Sequence, residues 1–426
     1  MDITDLHKLF LKSNGICTDT RKIKNNNLFF ALKGDNFNGN TYAKQAIEKG
    51  ALYAIIDDEK FAVSEQYILV NDTLKTLQNL AKHHREYLNI PIIALTGSNG
   101  KTTTKELINC VLSSSYQTTA TSGNLNNHIG VPLTLLSMNK NTEIGIVEMG
   151  ANHQKEIEFL CKIACPDFGY ITNIGKAHLE GFGSLEGVLK GKTELYRHLK
   201  KHNKLIFLNT EDTKLSKAAE GIKTYTFSQT QESDITIQLK DVNPMVSVLL
   251  ENKDIHSHLI GSYNFTNISA AIAIGFYFKI NTEKIKTAIE SYIPSNNRSQ
   301  IIQKKESTII LDAYNANPSS MSVAIDNFHS LDYKNKTVFL GDMFELGDTA
   351  SDEHQKIAEK TIQTSFNTIY LIGHNFFETS ITDPRIIKYR SFEALKENEP
   401  FSNIKDAILI KGSRGMKLER ILDLIK

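Results

Sequence analysis

The run Thr96-Gly97-Ser98-Asn99-Gly100-Lys101-Thr102-Thr103 lies between the apolar segment Ile92-Ile93-Ala94-Leu95 and a helix-forming stretch, and it constrains the fold more than any other feature. Strand, glycine-containing turn and helix in that order make a phosphate loop, whose backbone N–H groups wrap phosphate oxygens at a helix N-terminus. Gly97, Ser98, Asn99 and Gly100 supply the wrap, Lys101 neutralises the β and γ phosphates, and the Thr102 hydroxyl, with Thr103 beside it, reaches a magnesium ion. Leu95 stands where the common form of the motif has its first glycine.

A phosphate loop sits in an open α/β sheet, and strand-like and helix-like periods alternate through most of the chain, as largely parallel α/β architecture requires. At about 150 residues per domain, 426 residues predict three domains. The first includes a strand over 28–32, a helix over 42–49 and a strand over 53–57, and the charged stretch Lys82-His83-His84-Arg85-Glu86 marks its end. The middle one has strands near 92–95, 144–147, 170–172 and 205–208 and a helix over 265–278. The run Ile293-Pro294-Ser295-Asn296-Asn297-Arg298 reads as a linker. Beyond it, strands over 308–311, 337–340, 369–372 and 407–410 alternate with helices, the last over 416–425, in a small Rossmann-like sheet without a Gly-x-Gly-x-x-Gly fingerprint. The expected domains are residues 1–85, 86–296 and 297–426.

Lys plus Arg total 49 against 48 Asp plus Glu, so no basic field draws the chain to nucleic acid, and anionic ligands must be met by local clusters. Cys17, Cys110, Cys161 and Cys165 are too few and scattered for a disulfide framework and fit a reducing cytoplasm. No basic region with an apolar core opens the chain, and the longest apolar run, around 270–278, falls short of the roughly 20 residues a membrane span needs. The expectation is a soluble cytoplasmic protein without membrane insertion.

Glu148 closes the strand 144–147, and His178 follows the strand 170–172, so both emerge at the carboxyl edge where the phosphate loop lies. Magnesium takes oxygen ligands, which suits Glu148 better than His178; taken alone, each also reads as a structural side chain. Lys192 falls on the apolar stripe of Leu185, Val188, Leu189, Leu195, Tyr196 and Leu199. A lysine buried there has a depressed pKa and a nucleophilic amine able to take up carbon dioxide, whereas one at the stripe's edge snorkels to solvent.

With these residues in view, the chain resembles the Mur ligases over nearly its whole length. The resemblance rests on TGSNGKTTTK from Thr96, GNLNNHIGVPLTLL from Gly123, VEMGANH from Val147, AHLEGFGS from Ala177, DAYNANP from Asp312, LGDMFELG from Leu340 and KGSR from Lys411. The phosphate loop alone also admits folylpolyglutamate-type ligases, or a noncatalytic ATP-binding protein. About 95 residues before the loop leave room for an extra domain and favour a muramyl ligase. The GNLNN and YNANP blocks resemble the D-alanyl-D-alanine-adding member, with the third-amino-acid-adding ligase as nearest competitor.

The resemblance implies an N-terminal α/β domain for a uridine nucleotide, a central phosphate-loop ATPase with a mainly parallel sheet, and a C-terminal Rossmann-like domain closing over them. It implies an ADP-forming ligase joining D-alanyl-D-alanine to UDP-N-acetylmuramoyl-tripeptide in peptidoglycan precursor synthesis, acting as a monomer. ATP and two magnesium ions are the implied cofactors, with Thr102, Glu148, His178 and a carbamate on Lys192 as metal ligands. Lys101, His178, Lys192 and Lys411 are the implied catalytic residues. Asn264, Asn267, Arg298 and Asp312 match positions around the nucleotide. Thr18, Asp19, Thr20 and Arg21 match the uridine-diphosphate contact, where the family commonly has Thr-Asp-Ser-Arg. Asn38-Gly39-Asn40 stands where it often has Asp-Gly-His. Asn126, Asn127, Tyr314, Asn315, Asn317, Ser413 and Arg414 are the remaining implied substrate contacts.

Overall fold

The computed structural model describes residues 1–230, 232–295, 297–398, 401 and 406–425; Asn296, within the expected linker, lies outside them. Near the N-terminus, strands Ile16–Cys17, Leu28–Phe30, Tyr53–Ile56 and Tyr67–Leu69 form a parallel sheet in that spatial order. The expected strand over 28–32 stops at Phe30, because Leu32 N–H turns back to the Phe30 carbonyl at 3.0 Å. The expected helix over 42–49 is a 3-10 turn, Gly39–Tyr42, followed by the α-helix Ala43–Glu48.

The helix Thr73–Leu88 starts at Asp72, whose carboxylate caps Lys75 N–H at 2.8 Å, and runs through the expected boundary at residue 85. The charged stretch inside it is partly buried. Arg85 donates to the carbonyls of Ala164 and Cys165, both at 3.1 Å, and pairs with Asp167 at 2.8 Å. A guanidinium bonded through Nε and one terminal nitrogen and paired with a carboxylate is tolerated there, and it ties the helix to the middle of the chain.

The central sheet has seven strands, all parallel, in the spatial order Ile235–Thr236, Lys223–Ser228, Leu205–Asn209, Phe168–Ile171, Ile92–Thr96, Ile144–Glu148 and Thr118–Ala120. Every residue of Ile92–Thr96 and Ile144–Glu148 is buried, as in a parallel sheet covered on both faces. The helices Lys101–Ser113 and Tyr263–Tyr277 pack on one face. An antiparallel sheet of Gln238–Asp241, Met245–Leu250 and Lys253–Ile260 follows, which the α/β alternation did not anticipate. Glu251 and Asn252, at φ 48° and 64°, form the tight turn that joins its longer strands, as a two-residue hairpin connection requires.

The single helix expected through Lys192 is two, Leu185–Lys192 and Glu194–Lys201. Thr193 between them donates its hydroxyl to Leu189 O at 2.7 Å, a back-bond that bends helices.

The C-terminal sheet runs Gln300–Lys304, Ser307–Asp312, Asp406–Lys411, Lys336–Gly341, Thr368–Ile372 and Ile386–Tyr389, parallel except for its first strand. The expected last helix over 416–425 is instead two 3-10 segments, Arg414–Met416 and Leu418–Asp423. Lys417, at φ 49°, breaks the run, and Leu418 and Ile421, three residues apart, eclipse onto the sheet as a 3-10 turn requires. Among the described residues, no helix is long and apolar enough to cross a membrane.

Candidate active site

The strand Ile92–Thr96 lies between Phe168–Ile171 and Ile144–Glu148, with Thr96 opposite Ile171 and Leu95 opposite Glu148. Three parallel strands in register end together, so the phosphate loop, Glu148 and the segment leading to His178 share one edge. They line a cavity of about 760 Å³ between the central sheet and the C-terminal domain, whose contribution includes Arg298, Asp312, Tyr314, Asn315, Asn317 and Lys411.

The loop is held open by its neighbours. Gly97 has φ 145°, and a Cβ there would stand 2.0 Å from Thr172 Oγ1; Gly100 has φ 77°, with Asn267 Oδ1 2.7 Å from the same position. Ser98 Oγ donates to Gly175 O at 3.1 Å, and Asn99 N–H donates to Asn173 Oδ1 at 3.1 Å. Lys101 Nζ folds back onto the carbonyls of Gly97 and Ser98 at 2.8 and 3.2 Å, and its enclosure lowers the ammonium pKa. Thr102 is buried at the start of the helix, and Thr103 lines the cavity.

Asn264 and Asn267 lie one turn apart inside their helix. Asn264 donates to Ile260 O at 2.7 Å and accepts from Asn267 Nδ2 at 2.7 Å; Asn267 Oδ1 accepts from Thr104 Oγ1 at 3.0 Å. This buried chain of amides braces the phosphate-loop helix, and both residues also line the cavity.

Glu148 is 1% exposed. One carboxylate oxygen accepts from Asn126 Nδ2 at 2.8 Å, while Oε2 is buried with no hydrogen-bond partner. An orphaned carboxylate oxygen is costly unless a cation meets it, so Glu148 and Thr102 beside the loop fit a hard divalent ion. Asn127 accepts from Ile129 and Gly130 N–H, at 3.1 and 2.9 Å, just ahead of the helix Gly130–Leu136.

Lys192 is fully buried. Its Nζ donates to Ala151 O, on the cavity wall, at 2.8 Å and lies 5.1 Å from the Phe182 ring centre. Burial first, and repulsion from Lys101 second, hold its pKa well below the ordinary lysine value. Its amine is therefore shifted toward the neutral, nucleophilic form. His178, at φ 53°, precedes the short helix Leu179–Phe182, and its Nδ1 contacts Glu345 of the C-terminal domain.

Across the cavity, Asp312 and Lys411 are register partners on adjacent strands and pair at 2.5 Å, and Asp312 Oδ1 accepts from Ser299 N–H at 3.3 Å. Tyr314 lies under two guanidinium groups, Arg298 at 3.7 Å and Arg414 at 5.4 Å from its ring centre. Asn315 offers its carbonyl to Lys411 at 3.4 Å. Asn317 caps the helix Pro318–Ser330 and donates to Asn99 Oδ1 at 2.8 Å. Ser413 is buried, accepting from Phe344 N–H at 3.0 Å, away from the cavity lining.

Thr18 to Arg21 are not brought into this cavity. Asp19 and Arg21 form a fork, with two contacts at 2.9 Å, that holds the Asp19 carboxyl down at about 2, and Thr20 donates to Gln45 Oε1 at 2.9 Å. Lining residues that the sequence reading passed over include Asn173, Asn209, Asp212 and Glu345. Asn209 ends a parallel strand, so the rule that ligands gather at carboxyl ends would have found it.

An all-parallel sheet with a phosphate loop at the end of an interior strand, faced by a second and largely parallel domain, defines a nucleotide-dependent α/β enzyme of several domains. Family models match three stretches: Mur ligase family, catalytic domain over residues 12–85; Mur ligase middle domain over 95–275; and Mur ligase, glutamate ligase domain over 297–414. The chain belongs to the Mur ligase family. A Bacillus subtilis relative named UDP-N-acetylmuramoyl-tripeptide–D-alanyl-D-alanine ligase is 37% identical, covering 97% of this chain and 93% of the relative. The MurF ligase of Thermotoga maritima, solved in complex with ADP, superposes with a TM-score of 0.83 at 26% identity, covering 98% of this chain and 97% of its own. MurF from Acinetobacter baumannii gives 0.82 at 28% identity, covering 96% and 93%.

Proposed function

We propose that this chain is an ADP-forming ligase that joins D-alanyl-D-alanine to UDP-N-acetylmuramoyl-tripeptide, giving the pentapeptide, ADP and phosphate for peptidoglycan synthesis. The observation that carries this reading is one cavity holding the phosphate loop, the open Glu148 oxygen and third-domain groups from Arg298 to Lys411. The 37% identical relative of that name, matched over nearly the full length, supports the choice of substrates. In this reading residues 1–85 take the uridine nucleotide, 86–296 bind ATP, and 297–426 present the dipeptide, in a cytoplasmic monomer.

The tripeptide carboxylate attacks the γ-phosphorus of ATP; a P–O bond to the carboxylate forms and the bond to ADP breaks. The dipeptide amine then adds to the acyl phosphate carbonyl, a C–N bond forms, the amine loses a proton to solvent, and inorganic phosphate leaves. Neither step needs a covalent link to protein, so the chain's task is orientation and charge stabilisation, and orientation supplies about 7–11 kcal/mol in well-aligned systems. Lys101 exchanges its loop carbonyls for the β and γ phosphates, while Gly97 to Thr103 present the N–H groups at the helix start. Arg298 and Lys411 add positive charge from the other wall, and Tyr314, Asn315 and Arg414 border the dipeptide.

Thr102, Glu148 and His178 would hold magnesium, which when bound screens the phosphates and draws charge from the γ-phosphoryl group. The Lys192 amine would add to carbon dioxide, forming an N–C bond and releasing a proton, to give a carbamate that serves as a further acidic ligand. The test is phosphate release from ATP with UDP-N-acetylmuramoyl-tripeptide, with and without D-alanyl-D-alanine, and mass spectrometry of the product. Release that needs both acceptors and yields the pentapeptide is expected; no turnover with either the lysine or the diaminopimelate tripeptide would overturn the reading.

A further inference from the structure

The loop after the strand Lys336–Gly341 reads Asp342-Met343-Phe344-Glu345-Leu346-Gly347, and most of it holds its own domain together. The Asp342 carboxylate accepts the N–H groups of Asn375 and Phe376, both at 2.9 Å, at the start of a short helix. Met343 N–H donates to His354 Nε2 at 2.9 Å, Phe344 N–H donates to Ser413 Oγ, and Leu346 is buried in the domain core. Glu345 reaches across to another domain, with Gly347 packed beside Glu180 at the same contact. Its side chain meets His178 Nδ1, and its carbonyl accepts Glu180 N–H at 3.2 Å.

The geometry on both sides of this contact is unusual. His178 has φ 53° and Glu345 has φ 62°, left-handed conformations that non-glycine residues hold only where their surroundings impose them. Nearby, Lys176 is fixed to the same domain through Glu353 at 2.7 Å and through its N–H to Ser319 Oγ at 2.8 Å. The segment from Gly175 to Glu180 is therefore stitched to the C-terminal domain, while its start is bonded to the phosphate loop through Ser98.

We propose that Glu345 is a positioning residue for the metal site: docking of the C-terminal domain sets its carboxylate on His178 Nδ1 and turns the other ring nitrogen toward the ion beside Glu148. This rests on the reading of His178 as a metal ligand given above. A carboxylate on one nitrogen keeps the proton there, leaves Nε2 with its lone pair, and fixes the ring plane. Among the described residues, Nε2 makes no hydrogen bond to protein. The ligand set is then complete only when the third domain is docked, so phosphoryl transfer waits for closure.

The test is Mn²⁺ binding followed by electron paramagnetic resonance in the full chain with ADP, with Mg²⁺ as competitor. Glu345→Ala is expected to weaken Mn²⁺ by about 10- to 100-fold, as loss of such outer partners does. Glu345→Gln, whose amide oxygen still accepts from Nδ1–H, is expected to recover part of that loss. Lys176→Met loosens the same interface without touching His178 and is expected to weaken Mn²⁺ less than Glu345→Ala does. Unchanged or tighter Mn²⁺ binding in Glu345→Ala would overturn the proposal, as would an equal loss in Lys176→Met. A wild-type chain that binds no Mn²⁺ would overturn the metal site itself, whereas the phosphate-release assay tests the ligase reading independently.

Discussion

The Asn317 side chain donates to Asn99 Oδ1 across 2.8 Å, so a residue of the C-terminal domain rests directly on the phosphate loop. The same Asn317 caps its own helix by accepting Ser320 N–H at 2.9 Å, so its two functions use different atoms of one amide. Domain docking and nucleotide seating thus share a contact.

Asn317→Asp separates those functions. The carboxylate still caps the helix, but it has no donor for Asn99 and sets negative charge against an acceptor. We expect kcat/KM for ATP to fall about 5- to 30-fold, corresponding to about 1–2 kcal/mol. Thermal unfolding should be nearly unchanged; steady-state kinetics and a melting curve on one preparation check both.

Lys192→Ala should lose most activity and regain part of it in added short-chain carboxylic acid, which supplies the missing carboxylate. Lys192→Arg should lose activity without rescue, because its guanidinium stays charged and takes up no carbon dioxide. Full activity in Lys192→Ala would refute the carbamate.

Gly97→Ala places a methyl 2.0 Å from Thr172 Oγ1 and 3.0 Å from Thr172 N, with φ at 145°. The loop must shift to admit it. Calorimetric titration with ADP should show affinity at least about tenfold lower, or about 1.4 kcal/mol.

A pH effect is expected far from the nucleotide. His84 lies with Nε2 2.9 Å from Met138 O and Nδ1 3.0 Å from His7 Nε2, a chain of two neutral rings. Burial, then the neighbouring His84 and His83, pushes His7 down to about 4, and burial also lowers His84. The unfolded chain, with histidine near 6.5, takes up protons first as pH falls. The pair therefore contributes its full stability above about pH 6.5 and loses it toward pH 4. The urea midpoint should be lower at pH 5 than at pH 7, and His7→Gln should flatten the difference.

The phosphate loop was legible because its chemistry is local: glycines, a lysine and a threonine in sequence after an apolar strand. The shared edge of Glu148 and His178 with the loop was legible from topology, since parallel strands end together, whereas the apolar stripe left Lys192 open between burial and snorkelling. Thr193 bends that stripe through a side-chain bond that periodicity does not record. The spacing of Leu418 and Ile421 suits α and 3-10 turns alike, so the last segment was misread. Glu345 and the Asn99 to Asn317 contact depend on how one domain meets another, which no local pattern encodes.

The Lys101 ammonium donates to Gly97 O and Ser98 O, so the loop's own carbonyls can satisfy its cation. Nucleotide affinity is then the difference between two well-bonded arrangements, and the lysine has somewhere to return when the terminal phosphate is gone. Such a loop trades tightness of grip for ease of letting go.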